Sequence, residues 1–263
     1  MKIGPSRNIP TAFSLVVAEH RRLLLTPERL TPEHLTEGAV LLNKEEQHYL
    51  RRVLRLRCGG RVDVTDGCGR LLGGTLLETN LLELDPTPQQ IVPSPSPQLG
   101  LAVALMRRGM DDVVRMACEL GIDRIQPLRC ERCAPQAEHR PERWAVIVRE
   151  AVEQCERLWM PQLLAVAELS RWMGDGDGQR LVGVTRESSS PVLHQWLSQQ
   201  GKANQLTWLV IGPEGGWTAA EQRLFAQERV QPIQMGSTIL RSSTAAVAGA
   251  VELVRWRDGL ISS

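Results

Sequence analysis

The residues of this chain best suited to hold a small molecule lie in two glycine turns near its carboxyl end. Gly212, Pro213, Glu214, Gly215 and Gly216 form the first, and Gly236, Ser237 and Thr238 the second. Glycine supplies positive φ angles and leaves the backbone free of bulk, while proline fixes one φ. Such a turn lets peptide N–H groups face a ligand with no side chain between them. It also serves as an ordinary connector, and composition does not separate the two uses. Neither turn matches G-x-G-x-x-G, and the chain has no G-x-x-x-x-G-K-[ST], so nothing marks a Rossmann dinucleotide site or a P-loop. A Ser, His and Asp grouping and an H-E-x-x-H are absent as well. Chemistry here would come from a cofactor that carries its own reactive group.

Each turn follows an apolar run that has to position it. Leu206 to Ile211 is continuously apolar and β-branched, as a strand covered on both faces requires, and Pro232 to Met235 is a second, shorter strand. Thr218 stands three residues before Glu221 in capping-box spacing, so a helix is expected to start behind the first turn. Thr244, Val247, Ala248, Val251 and Val254 mark a final helix behind the second. Upstream, Leu99 to Met106 reads as a buried strand. Met110, Val113, Val114, Ala117 and Leu120 form a helix stopped by Gly121, and Ile122 to Leu128 return to the sheet. Trp144, Ile147, Val148, Ala151, Cys155, Leu158 and Trp159 line one face of a longer helix closed by Pro161, with Arg143, Glu150, Gln154 and Arg157 on another face. Leu163 to Ala167 and Leu181 to Thr185 read as strands, with a flexible loop from Gly174 to Gly178 between them. This alternation predicts an α/β domain with a mainly parallel sheet and a ligand at the carboxyl ends of its strands. The two glycine turns are expected on strands that lie side by side.

Length and composition bound the rest. The 263 residues suffice for one large domain or two unequal ones. Pro93, Ser94, Pro95, Ser96 and Pro97 make a stiff linker unable to pair in a sheet, and the boundary is placed there. That gives an extension over residues 1–20, a small domain over 21–92, the linker over 93–97 and the larger domain over 98–263. In the small domain, Ala39 to Leu42 reads as a strand and Lys44 to about Leu56 as a brief helix. Arg61 to Thr65, the hairpin signal Asp66-Gly67 and Arg70 to Leu77 complete a pattern of short strands that suggests a small β-barrel. Arg51, Arg52, Arg55, Arg57 and Arg61 fall close together with no acid among them, a pattern that meets RNA phosphates. A solvated face balanced by Glu45, Glu46 and Asp63 is the other reading.

The net charge of +1 excludes a global field for polyanions. Of thirty-one Lys plus Arg, only Lys2, Lys44 and Lys202 are lysines. Arginine pairs with phosphate and stacks on bases, although high genomic GC content gives the same bias. No apolar run has transmembrane length, and Met1 to His20 lacks the pattern of a secretory leader, so a cytosolic protein is expected. Six cysteines in this length do not indicate a disulfide scaffold. Cys130 and Cys133 form a C-x-x-C with no second pair and no His in finger spacing, which leaves a zinc or redox role weakly supported; no metal is expected.

Taken together, Gly212-Pro213-Glu214-Gly215-Gly216, Met235-Gly236 and Ile239-Leu240-Arg241 ahead of Thr244-Ala245 resemble the paired carboxyl-terminal motifs of the ribosomal RNA small subunit methyltransferase E family, in the SPOUT class. Glu150, Ala151, Gln154, Arg157 and Pro161 are similar to the family's E-A-x-x-Q-x-x-R-x-x-x-P helix. Glu119-Leu120-Gly121 extends the likeness, as do His48, Val53-Leu54-Arg55-Leu56, Gly60, Asp66-Gly67 and Gly69 in the first domain. Essentially everything from Arg21 onward is covered. Each motif alone has modest specificity, but their order and spacing across both domains make coincidence improbable.

The resemblance implies a PUA-like β-barrel followed by an α/β domain with a deep trefoil knot, S-adenosyl-L-methionine as cofactor, a homodimer, and methylation of N3 of one uridine in 16S rRNA, within the 30S subunit. It implies that Gly212, Pro213, Glu214, Gly215, Gly216, Met235 and Gly236 cup the cofactor, with Ile239 and Leu240 flanking the adenine. Arg241 would stabilise charge on the uracil, and Glu214 would touch the cofactor, orient Arg241, or simply bond nearby N–H groups. Arg51, Arg52, Arg55, Arg132 and Arg157 are the candidate RNA contacts. Thr238 stands where the family usually has Arg and Ser243 where Glu commonly precedes Thr-Ala, so roles of those side chains do not carry over. The same fold also serves ribose 2′-O-methyltransferases, and the two departures leave a non-catalytic RNA-binding homologue as a third reading.

Overall fold

The computed structural model describes residues 21–78, 80–175, 177–185, 189–201 and 205–261; the expected extension over 1–20 and part of the expected 174–178 loop lie outside them. Two sheets share no strand. The first holds β1 (Arg22–Leu24), β2 (Ala39–Leu41), β3 (Arg61–Thr65), β4 (Arg70–Leu76), β5 (Leu81–Leu84) and β6 (Gln90–Ile91), with helices α1 (Pro32–Glu37) and α2 (Lys44–His48) between its early strands. Its order is β1-β3-β4-β5-β2, with β6 also on β4. β3 and β4 form the antiparallel hairpin that Asp66-Gly67 predicts. The expected helix to Leu56 is shorter: α2 passes into a π-helical turn over Tyr49–Val53, and Arg55 takes φ +53°.

The second sheet is parallel throughout. It comprises β7 (Leu99–Ala104), β8 (Arg124–Arg129), β9 (Gln162–Leu163), β10 (Ala167–Glu168), β11 (Gln179–Gly183), β12 (Thr207–Ile211) and β13 (Gln231–Ile233). Helices α3 (Met110–Leu120), α4 (Pro141–Gln154), α5 (Leu169–Asp175), α6 (Leu193–Ser198), α7 (Ala219–Gln227) and α8 (Ser242–Ile261) cover its faces. The order is β10-β8-β7-β12-β11-β13, with β9 on β8. The run expected from Leu163 to Ala167 is thus split into β9 and β10, and α5 occupies the start of the expected flexible loop.

Period-2 alternation explains the two cores of this sheet. Leu99, Leu101, Val103, Leu209 and Ile211 point to the core shared with α3, α4 and α8, whereas Ala102, Ala104, Trp208 and Val210 point to the core shared with α5 and α7. Trp208 fits because Gly100 is its partner in the β7–β12 register, and a Cβ at Gly100 would clash with the indole ring. On the opposite face Gly249 lets α8 approach Leu209. Each of these buried large side chains contributes roughly 1.5–3 kcal/mol.

The sheets are docked through α4 and the segment after it. Glu153 accepts from the Leu24 N–H at 2.9 Å, and Arg149 donates to the Leu24 carbonyl at 3.0 Å. Beyond the helix, Gly69 N–H donates to the Leu158 carbonyl at 2.9 Å, and Met160 N–H to the Gly67 carbonyl at 2.8 Å. Burial pushes the Glu153 carboxyl up to about 7, against the opposing effects of the Leu24 N–H, Arg149 and Tyr49. From about pH 4.5 to about pH 7 the folded protein therefore holds a proton at Glu153 that the unfolded chain has lost, so this residue makes stability fall as pH rises through that window. Glu153→Gln keeps an acceptor for Leu24 and removes the titration. Thermal unfolding followed from pH 5 to pH 8 should show a flatter dependence in the variant than in the parent; identical slopes would contradict the assignment.

Candidate active site

β11, β12 and β13 run parallel, so Gly183, Ile211 and Ile233 end on the same edge of the sheet. The two glycine turns leave from that edge. The strands that carry them are not neighbours as expected, because β11 lies between β12 and β13. A ligand reaching both turns spans the carboxyl ends of three strands, a place where open parallel sheets bind ligands.

The first turn is braced from behind. Trp217 folds back so that a Cβ on Gly212 would lie 2.8 Å from its ring, and its Nε1 donates to the Gly183 carbonyl at 3.0 Å. The ring sits edge-on to Phe225 at 4.8 Å. Gly216 N–H closes on the Pro213 carbonyl at 2.9 Å. Thr218 and Glu221 form the expected capping box: Glu221 Oε2 accepts from the Thr218 N–H at 2.8 Å and Thr218 Oγ1 from the Glu221 N–H at 3.2 Å. The second Glu221 oxygen accepts from the Glu131 N–H at 3.0 Å, so one buried carboxylate fixes both α7 and the segment after β8. Sequence reading saw the cap but not this second bond, which joins residues ninety positions apart.

The front of the wall is bare backbone. Gly216 at φ +69° and Gly236 at φ +140° require glycine, and a Cβ at either would meet no heavy atom within 4 Å. Gly215 is different, since a Cβ there would lie 3.0 Å from the Arg132 Cβ. Pro213 is buried and Glu214 exposed. In the second turn Met235 and Leu240 rest on the main core, while Ile239 is 61 % exposed, the kind of apolar face against which a planar base can lie. Gln234 is tied by its backbone to Pro191 and Leu193. Free backbone, positive-φ glycines and an exposed apolar face fit a nucleoside-bearing cofactor. Thr238 is exposed, and Ser243 sits 3.7 Å from where a Cβ on Gly109 would stand.

Glu214 and Arg241 are both exposed, and neither carries a hydrogen bond or ion pair from its side chain among the described residues. The structure thus shows neither the Glu214–Arg241 contact nor a Glu214 bond to loop N–H groups. Arg132 is exposed but engaged, donating to the carbonyls of Gly215 at 3.1 Å and Trp217 at 3.3 Å. Arg51, Arg52 and Arg55 are exposed around the π-helical turn without an ion pair among the described residues. Arg61, by contrast, is taken up by Asp85 in a two-pronged pair. Glu150, Ala151 and Gln154 line a cleft of about 700 Å³ between α3 and α4, away from the glycine turns.

Arg157 corrects the expectation of an RNA contact. α4 ends at Gln154 and Glu156 takes φ +61°, so Arg157 leaves the helix face and turns inward. Its guanidinium donates to the carbonyls of Cys118 and Ile122 and to Asp123 at 2.8 Å. Asp123 in turn binds Arg257 at 2.5 Å, and both partners are buried. Removing one member of a buried ion network costs about 3 kcal/mol. Arg157→Ala should therefore lower the unfolding midpoint in denaturant by an amount matching a loss of roughly 3 kcal/mol. An unchanged midpoint with weakened RNA binding would restore the original role.

Residues 93–253 match the RNA methyltransferase domain. Over 235 residues the chain is 34% identical to ribosomal RNA small subunit methyltransferase E of Synechocystis sp., covering 85% of this chain and 75% of that protein. The protein of the same description from Rickettsia conorii is 30% identical over 81% of this chain and 88% of its own length. Among solved structures, ribosomal RNA small subunit methyltransferase E of Neisseria gonorrhoeae, bound to S-adenosyl methionine, superposes with a TM-score of 0.71 at 26% identity, over 89% of this chain and 96% of that one. The fold is shared as well with Lpg2936 of Legionella pneumophila, solved with the cofactor SAM, at a TM-score of 0.74 and 24% identity over 90% and 97% of the two chains. A matching domain over most of the second sheet and its helices, together with identity that spans both sheets, shows that the chain belongs to the ribosomal RNA small subunit methyltransferase E family.

Proposed function

We propose that this protein is an S-adenosylmethionine-dependent methyltransferase of 16S rRNA that modifies N3 of one uridine. The observation that carries the reading is the pairing of bare glycine backbone at Gly216 and Gly236 with an exposed Arg241 in the second turn, at the carboxyl edge of a parallel sheet. Bound there, S-adenosylmethionine would supply a methyl already activated by its sulfonium. The chain's own task is then to hold and orient. Backbone of 212–216 and 235–236 contacts the cofactor, and Ile239 and Leu240 flank its adenine. The target uridine is unpaired, because N3 lies on the Watson–Crick edge. Arg241 offers positive charge to the uracil as its N3 proton departs. Glu214, unpaired among the described residues, is available to the cofactor or to the incoming base.

The same reading includes a division into a PUA-like barrel (21–92), a linker (93–97) and a knotted SPOUT domain (98–263), working as a cytoplasmic homodimer on the 30S subunit. Arg51, Arg52 and Arg55 support it as unpaired cations on the first sheet's surface, and Arg132 adds a cation beside the cofactor loop.

Incubation with labelled S-adenosylmethionine and either 30S particles or naked rRNA lacking the modification, followed by mapping of the methyl by mass spectrometry, tests it. Label on N3 of a single uridine is expected. Label on ribose would point to the 2′-O reaction, and tight RNA binding without label to a non-catalytic homologue. Arg241→Ala should keep cofactor affinity within a few-fold while turnover drops roughly 100-fold, the signature of a group that acts in the transition state. Equal loss of cofactor binding would assign Arg241 to the pocket.

A further inference from the structure

The C-x-x-C after β8 is given no role in the reaction proposed above, yet it is tied to the first glycine turn and its helix. Cys133 N–H donates to the Cys130 carbonyl at 3.1 Å, closing a four-residue turn, and Cys130 N–H donates to the Cys133 sulfur at 3.3 Å. A turn of this kind keeps its end Cα atoms within about 7 Å, and a disulfide spans about 4.4–6.8 Å. Both thiols are free, Cys130 buried and Cys133 half-buried. The Cys130 side chain beside it, helped by the Cys130 N–H, holds the Cys133 thiol below its ordinary value, while the Cys133 side chain and burial push the Cys130 thiol up; the Cys133 thiol also points to the Leu128 carbonyl at 3.9 Å. The more accessible sulfur is thus the better thiolate, with a protonated neighbour behind it, the arrangement of an attacking and a resolving cysteine. Among the described residues no group of three or more His, Cys, Asp and Glu gathers to hold a metal, and two thiols alone do not make a zinc site.

Both residues between the cysteines are bonded to the first glycine turn and its helix. Glu131 N–H donates to Glu221, the capping carboxylate of α7, and Arg132 holds the carbonyls of Gly215 and Trp217. A change in the 130–133 turn therefore reaches residues 215–221 directly.

We propose that Cys130 and Cys133 form a dithiol–disulfide exchange site for low-molecular-weight disulfides, and that its oxidation loosens the 212–221 segment. The effect on cofactor binding rests on the proposed function; the thiol chemistry and the loosening do not. The Cys133 thiolate attacks one sulfur of the small disulfide, whose S–S bond breaks and releases one thiolate. Cys130 then gives its proton to solvent and attacks the Cys133 sulfur, expelling the second thiolate. Two protein thiols are oxidised by two electrons, and the small disulfide is reduced to two thiols. Once bridged, the Cys133 sulfur is a poorer acceptor for the Cys130 N–H and can no longer donate to the Leu128 carbonyl, and Glu131 and Arg132 reseat.

The full chain, equilibrated in mixtures of reduced and oxidised glutathione, would be mapped for disulfides by mass spectrometry and for hydrogen exchange over 212–221, with S-adenosylmethionine affinity measured by calorimetry on both forms. The expected result is a Cys130–Cys133 bridge reversed by dithiothreitol, faster exchange at 212–221, and a Kd for S-adenosylmethionine raised about fivefold, near 1 kcal/mol. The double variant Cys130→Ser, Cys133→Ser should show none of these changes. No bridge, a bridge between other cysteines only, or a 130–133 bridge with unchanged exchange overturns the proposal. Faster exchange in a protein that binds no S-adenosylmethionine in either form would support the exchange site and overturn the methyltransferase reading.

Discussion

One carboxylate, Asp123, joins the parts on which the second sheet depends. Its two oxygens serve the Leu99 N–H at the start of β7, Arg157 beyond α4 and Arg257 near the end of α8. A buried charge of this kind is costly unless it is paired and hydrogen-bonded, and here every partner comes from a different part of the chain. Arg157 and Arg257 also satisfy the carbonyls at the end of α3, through Cys118, Gly121 and Ile122. The C-terminal helix is thereby anchored at its far end to the beginning of the first strand of the sheet. Its near end carries the second glycine turn, so the position of Arg241 depends on a contact made sixteen residues later.

Around that anchor the wall formed by the two glycine turns is rigid behind and open in front. Trp217, Phe225, Glu221 and Arg132 occupy the rear of the first turn with ring contacts and hydrogen bonds. Met235 and Leu240 seat the second turn on the core. What faces outward is glycine backbone, an exposed isoleucine and two exposed ionisable side chains, Glu214 and Arg241. A preorganised rear with free groups in front is the arrangement that positions a reactive ligand without spending binding energy on reshaping the protein.

The first sheet is tied to this framework through polar groups on α4 and the residues after it rather than through a large shared apolar surface. Leu24 belongs to the core of the second sheet, while most of the first sheet's apolar residues form their own cluster. The joint between them includes Glu153, whose burial makes it sensitive to protonation near neutrality. Exposed arginines on one sheet and the glycine turns on the other are thus held by a joint whose strength depends on pH.

The sequence by itself determined the strand that leads into Gly212, the capping box at Thr218 and Glu221, the glycine turns, the helix stop at Gly121 and the β3–β4 hairpin, because each depends on φ preferences or side-chain spacing within a few residues. Family motifs in their order added the cofactor and the reaction class. Only the tertiary structure decided that β11 separates the strands bearing the two turns, since strand order depends on which crossovers pack and not on local pattern. It also decided the fate of the arginines. Arg51, Arg61, Arg132 and Arg157 look alike in sequence, yet one is free among the described residues, one is paired with Asp85, one braces the glycine loop and one is buried against Asp123. A guanidinium's role follows from the carboxylates and carbonyls brought to it across the fold, and those partners lie tens of residues away along the chain.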